Sequence, residues 1–222
     1  MKSEYSSLTK FELTRILVPG FYFAVLVSMF IRIFISPLLV GDPTPGRVLL
    51  MFLLVTLVSG LTLYAKETPK RRRAFVENQP SAHLLQLSRS LAKVEPLTED
   101  DARHLYFYIL NNVMPGAIQE KIFLFGTIYY VMIQIRRTSF WFGIVALAGT
   151  IAFLSFQQPS APELSAPLLF TALVWVVYGL NVRYNKADRK MQENYRDQIF
   201  WLDLHRDIVA DLLKKRSHSS AK

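Results

Sequence analysis

Residues 16–39 read ILVPGFYFAVLVSMFIRIFISPLL, an apolar run whose one formal charge is Arg32. A helix that crosses a bilayer needs about 20 predominantly apolar residues. This run is long enough to be a span, and three others follow at 48–65, 140–156 and 167–182. The shorter ones are completed by interfacial residues, because flanking side chains accommodate mismatch. The expectation is an all-α membrane protein with four spans.

The connections between the spans orient it. Residues 40–47 and 157–166 are short and rich in Pro and Gly, and Arg47 is their one basic residue. Residues 66–139 carry eleven Lys or Arg, and the tail from Arg183 carries ten more. Basic loops stay on the cytoplasmic side, so both termini and the middle segment are expected in the cytoplasm. The domain reading follows: 1–15 a cytosolic amphipathic entry helix, 16–65 spans one and two, 66–139 a cytosolic helical segment. Residues 140–182 are spans three and four, and 183–222 a cytosolic C-terminal helix with a frayed end.

A fifth span is excluded at 122–133 (IFLFGTIYYVMI). Twelve residues suit a buried or interfacial helix, and a crossing there would place Arg136 and Arg137 outside. The run is therefore expected to be cytosolic and covered by another helix.

Of 222 residues 51% are apolar, the formal net charge is +9 and there is no Cys. Disulfides, thiolate metal sites and cysteine nucleophiles are excluded together. The first apolar run is too long for the core of a cleavable signal peptide and lacks a small-residue cleavage site. The positive charge is met by anionic lipid at basic loops, or by a specific anionic ligand.

Several boundaries are signalled locally. Val18-Pro19-Gly20 is expected to break or bend span one at its start. Leu84, Leu87, Leu91 and Val94 repeat at helical spacing, and Pro96 ends that helix. Thr98-Glu-Asp-Asp101 is a capping pattern in which the Thr hydroxyl accepts from the Asp101 N–H. The helix it opens runs to about Val113, and from Ala117 a helical pattern continues into span three. Residues 184–216 form a second long helix whose apolar stripe includes Met191, Tyr195, Ile199, Leu202, Val209 and Leu213. It is expected to pack on 122–133 and the two preceding helices.

No catalytic motif emerges, so the chain is read as a non-enzyme with no cofactor and no metal. His83, His104, His205 and His218 show no metal-ligand spacing. His205-Arg206-Asp207 matches three letters of a kinase loop without a glycine-rich loop, a partner Lys or the metal-binding motif. No internal repeat marks a transporter.

The candidate site residues are charged. Lys70, Arg71, Arg72 and Arg73, with Arg89, Lys93 and Arg103, form a candidate ligand surface. Tyr106, Phe107, Tyr108, Tyr129 and Tyr130 are its stacking platforms for an oligonucleotide. The simpler reading of those aromatics is core packing. Arg32 either snorkels to the outer interface or lines a pore or vestibule. Asp203, Asp207 and Asp211 recur at four-residue steps. They are either an acidic ring at a pore mouth or a solvated face answered by Arg206, Lys214 and Lys215. Small residues at Thr56, Ser59 and Gly60, and at Gly143, Ala146, Gly149 and Ala152, mark close packing within a protomer or between protomers.

LTRILVPGFYF at 13–23, followed by two spans, a helical insert, two further spans and a charged helical tail, resembles the small membrane subunits of bacterial anti-phage defence operons of the Hailong and Kiwa types. The resemblance implies an oligomeric membrane effector, with a tetramer as the expectation. It implies an ion channel controlled through its cytosolic part by an oligonucleotide or a partner protein. A non-conducting scaffold or sensor that recruits a cytosolic partner is the alternative.

Overall fold

A computed structural model describes residues 2–35, 44–65, 79–90, 96–157, 160–184 and 186–220. Their regular structure is helical throughout. In order come α1 (Lys2–Phe30) with a π-helical turn (Ile31–Ile35), α2 (Pro45–Ala65), α3 (Pro80–Ser90), α4 (Glu99–Asn112) and α5 (Gly116–Gln157). Then follow α6 (Ala161–Tyr184), α7 (Ala187–Leu204) and α8 (Arg206–Ser220). Four helical stretches are long and apolar enough to cross a membrane: Lys10–Ile35, Pro45–Ala65, Gly116–Phe156 and Pro162–Leu204. The protein is all-α with four spans.

Three local expectations are revised and one is met. Pro19 does not break the first helix but sits inside α1 with its ring buried. A proline in a span is tolerated where neighbouring helices cover the freed backbone groups. The helical pattern expected to continue from Ala117 into span three does so: 122–133 lies within the single 42-residue α5. The fourth span starts before Pro167, which lies buried inside α6. Its start is capped by Glu163, whose Oε2 accepts from the Ser160 N–H at 2.8 Å, one half of a capping box. The long tail helix is interrupted at His205, where α7 gives way to α8. The His205 N–H still reaches the Trp201 carbonyl at 3.1 Å and the Val209 N–H the His205 carbonyl at 3.1 Å, so the helical register carries through.

The chain divides into two compact units, Met1–Glu67 with Thr127–Ala187, and Thr68–Gly126 with Asp188–Lys222. In the first, α1 and α2 approach at glycines. A Cβ on Gly60 would lie 2.3 Å from the Ile16 carbonyl oxygen, and one on Gly20 2.1 Å from that of Thr56. Only glycine permits such backbone contact. On the other side of α1, Leu26, Phe34, Phe142, Ala146, Phe170 and Val174 form the core. Its rings meet edge-on, Phe30 to Phe142 at 5.9 Å and Phe34 to Phe153 at 6.3 Å, the geometry their quadrupoles favour.

Several polar side chains inside this unit are paired across helices, as a medium without water favours, while the buried Gln134 Oε1 has no donor among the described residues. Tyr22 Oη and Ser139 Oγ are 2.7 Å apart, and Thr150 and Thr171 hydroxyls 2.9 Å. The Tyr130 hydroxyl donates to the Leu63 carbonyl at 2.9 Å, and Arg15 Nε to the Thr127 hydroxyl at 3.2 Å.

The second unit has its own core. Leu84 and Leu87 of α3 meet Leu105, Ile109 and Leu110 of α4, and Trp201, Leu202, Val209 and Leu213 of α7 and α8. Each fully buried side chain of this size is worth about 1.5–3 kcal/mol. Leu91 and Val94 of the expected helix lie outside the described residues. Thr98 caps α4 as read, accepting from the Asp101 N–H at 3.2 Å. The expected seam between the tail and 122–133 is divided. Ile118, Ile122 and Phe123 pack on this core, whereas Thr127, Tyr130 and Gln134 make their contacts in the first unit. One helix face cannot serve two cores along its whole length. α5 passes from one to the other at Gly126 and Thr127.

Candidate functional site

Lys70, Arg71, Arg72, Arg73 and Lys93 lie outside the described residues. Arg89 is exposed in the last turn of α3. Arg103 is exposed on α4, where Nη1 is 3.3 Å from Asp100 and Nη2 3.9 Å from Glu99. Those carboxylates sit in the first turn of α4, where the helix dipole favours negative charge. Arg103 thus spends part of its charge on its own helix.

The aromatic platforms separate. Tyr130 is buried in the first unit. Tyr106 is turned into the second unit, and its hydroxyl donates to Gln198 Oε1. Burial pushes that phenol's pKa well above its usual value, with Tyr195 adding to the shift. Phe107 and Tyr108 remain exposed on α4. The face with stacking capacity beside a guanidinium is therefore Arg103 with Phe107 one turn on, an i, i+4 pair.

The acidic row is occupied by partners. Asp203 Oδ1 is 2.8 Å from His83 Nε2, joining α7 to α3, and Asp211 pairs with Lys215 at 2.8 Å. The hydrogen bond that Lys215 donates to Asp211 holds the Lys215 pKa above its ordinary value. Asp207 lies in the first turn of α8, past the His205 interruption. His205 itself is structural: Nδ1 is 2.9 Å from the Trp201 carbonyl, and its ring stacks on the Trp201 indole at 4.1 Å.

Arg32 falls in the π-helical turn and is exposed, outside the aromatic core that Phe34 joins two residues later. Most of the small residues are assigned within the chain, Ala152 remaining exposed. Thr56 and Gly60 face α1, Gly143 meets the Trp175 ring and Gly149 the Phe30 ring.

Residues that sequence reasoning passed over include Asn194 and Gln198, 2% and 1% exposed on α7. Their amide nitrogens have no acceptor among the described side chains and backbone. Their i, i+4 spacing within an amphipathic, charge-rich helix was the available signal. No group of three or more His, Asp or Glu forms a metal site among the described residues.

The fold and spans define a membrane-spanning all-α protein with an added helical unit. No family model matches the chain, and no curated protein or solved structure is similar enough to count as a match.

Proposed function

We propose that the protein is an oligomeric membrane effector, an ion channel or depolarising protein of the bacterial inner membrane. Its non-membrane helical unit controls the spans in response to an anionic ligand, such as an oligonucleotide, or to a partner protein. The observation that supports this is α5. Its start packs on the core of the second unit and the rest belongs to the span unit, within one uninterrupted 42-residue helix. The same helix thus contributes side chains to both units. Phe34, Phe142 and Phe170 fill the middle of the span unit, so an ion path runs between copies rather than through one chain. The likeness to anti-phage defence subunits agrees with this role.

The deciding measurement is recording from the full chain in planar bilayers, with and without short oligonucleotides on the side of the termini. Discrete currents are expected, and Arg32→Ala should change ion selectivity while oligomer mass is unchanged, because a fixed positive charge is removed from a low-dielectric path. Silence of the wild type under every ligand transfers the working surface to the second unit. That scaffold reading has an observation of its own. Phe200, Leu204 and Ile208 lie 68%, 69% and 46% exposed at four-residue steps along α7 and α8, an apolar face suited to a helical partner.

Orientation follows the basic residues. A reporter fused after Lys222 or inserted at Glu95 is expected to be cytoplasmic, and one inserted at Pro43 or Pro162 external. A cytoplasmic signal at Pro162 would contradict this topology.

A further inference from the structure

An apolar groove of about 350 Å³ runs along the outside of the span unit between Phe23 of α1 and Leu54, Val55, Val58 and Leu63 of α2. Ser59 and Thr62 also line it, yet neither offers it a polar group. The Ser59 hydroxyl donates to the Val55 carbonyl at 2.6 Å and the Thr62 hydroxyl to the Val58 carbonyl at 2.7 Å. A groove with no polar wall, set within two spans, faces hydrocarbon rather than water. We propose that it holds one acyl chain of a phospholipid from the leaflet at the C-terminal end of α2.

Length supports that occupant. Leu54 to Leu63 covers nine helical steps, about 14 Å at the usual rise, which is close to half of a hydrocarbon core of about 30 Å. The groove thus spans the depth of one leaflet. Its Leu63 end is marked by the Tyr64 and Tyr130 rings, 6.2 Å apart, at the level where aromatic belts meet headgroups. A helix from a second copy fits less well. Thr56 and Gly60 already face α1, and although the small Ser59 and Thr62 line the groove, their hydroxyls are bonded within α2, which leaves a second helix no polar partner behind the bulky rim of Phe23, Leu54 and Val58.

The test begins with the wild-type chain in vesicles of phosphatidylethanolamine and phosphatidylglycerol containing a phospholipid with a photoreactive acyl chain. Labelling is expected to concentrate several-fold on Phe23 and on Leu54 to Leu63, relative to the more exposed Leu169 and Val176 of α6. Native mass spectrometry then compares wild type with Val58→Trp, which fills the groove, and Leu57→Trp, which does not line it. Wild type and Leu57→Trp should retain one more phospholipid per chain than Val58→Trp. Uniform labelling, or equal retention in a folded Val58→Trp, overturns the proposal. So does efficient disulfide dimerisation of Leu54→Cys in this cysteine-free chain, since a second copy would then occupy the groove.

Discussion

Gly60→Ala is expected to lower the thermal stability of the span unit by up to about 3 kcal/mol, the upper part of the usual overpacking range. The added Cβ would lie 2.3 Å from the Ile16 carbonyl oxygen and 3.1 Å from that residue's carbonyl carbon. The obstacle is backbone, so no side chain can rotate away. α1 and α2 must separate, loosening the Ser59 contact to the Gly20 carbonyl as they do. Gly20→Ala meets the same obstacle from the other side, 2.1 Å from the Thr56 carbonyl oxygen. The two changes should be non-additive, since they act at one crossing. Gly46→Ala and Gly179→Ala have no neighbour within 4 Å of the new atom and should stay within about 0.5 kcal/mol of wild type. Thermal unfolding in detergent, followed by circular dichroism, separates the four. A Gly60→Ala protein that melts with the two controls would show that the helices do not cross this closely.

Leu202→Asp should unfold the second unit while the spans remain inserted. Leu202 is 0% exposed in the core between α3, α4 and α7. Removing its side chain alone costs about 2–5 kcal/mol, and a buried unpaired carboxylate adds several more. Domains are stable by only about 5–15 kcal/mol, so the loss is of the order of the whole. Leu204→Asp, two residues on and 69% exposed, should change stability by no more than about 0.5 kcal/mol. Limited proteolysis of the reconstituted chain reads the difference. Rapid cleavage within 79–126 and 188–215 is expected for Leu202→Asp and not for Leu204→Asp. Equal resistance would mean that the tail does not depend on this core. Leu204→Asp serves a second purpose, because partner capture through the exposed α7–α8 face should be lost in it without unfolding.

The candidate site was legible in parts. Arg32 stood out because an ionised group in an apolar run is costly wherever it lies, but its exposure on a π-helical turn is a property of how α1 ends. The Asp203, Asp207 and Asp211 spacing was visible, whereas the His83 partner of Asp203 lies 120 positions away and no local pattern announces it. The cap at Thr98 was read from four adjacent residues and holds. The equivalent signal at Ser160-Ala-Pro-Glu163 was present but passed over, because the apolar run after Pro167 drew the boundary. The aromatics near Arg103 illustrate the opposite failure. Tyr106, Phe107 and Tyr108 are consecutive, yet one is buried against Gln198 and two are exposed, since successive helical positions point about 100° apart.

Helical class, the number of spans and the side on which basic residues gather are properties of short windows of chain. A bilayer tests each run for length and apolarity, and its backbone bonds are closed within the same run. Those features therefore follow from the order of residues alone. Pairing is different. That Gly20 and Gly60 face each other, that α5 leaves one core for another at Thr127, and that Phe200, Leu204 and Ile208 stay uncovered while Leu202 is enclosed were decided by tertiary packing. A small or apolar side chain carries no mark of which distant surface will cover it; complementarity of whole faces selects among partners that are chemically alike.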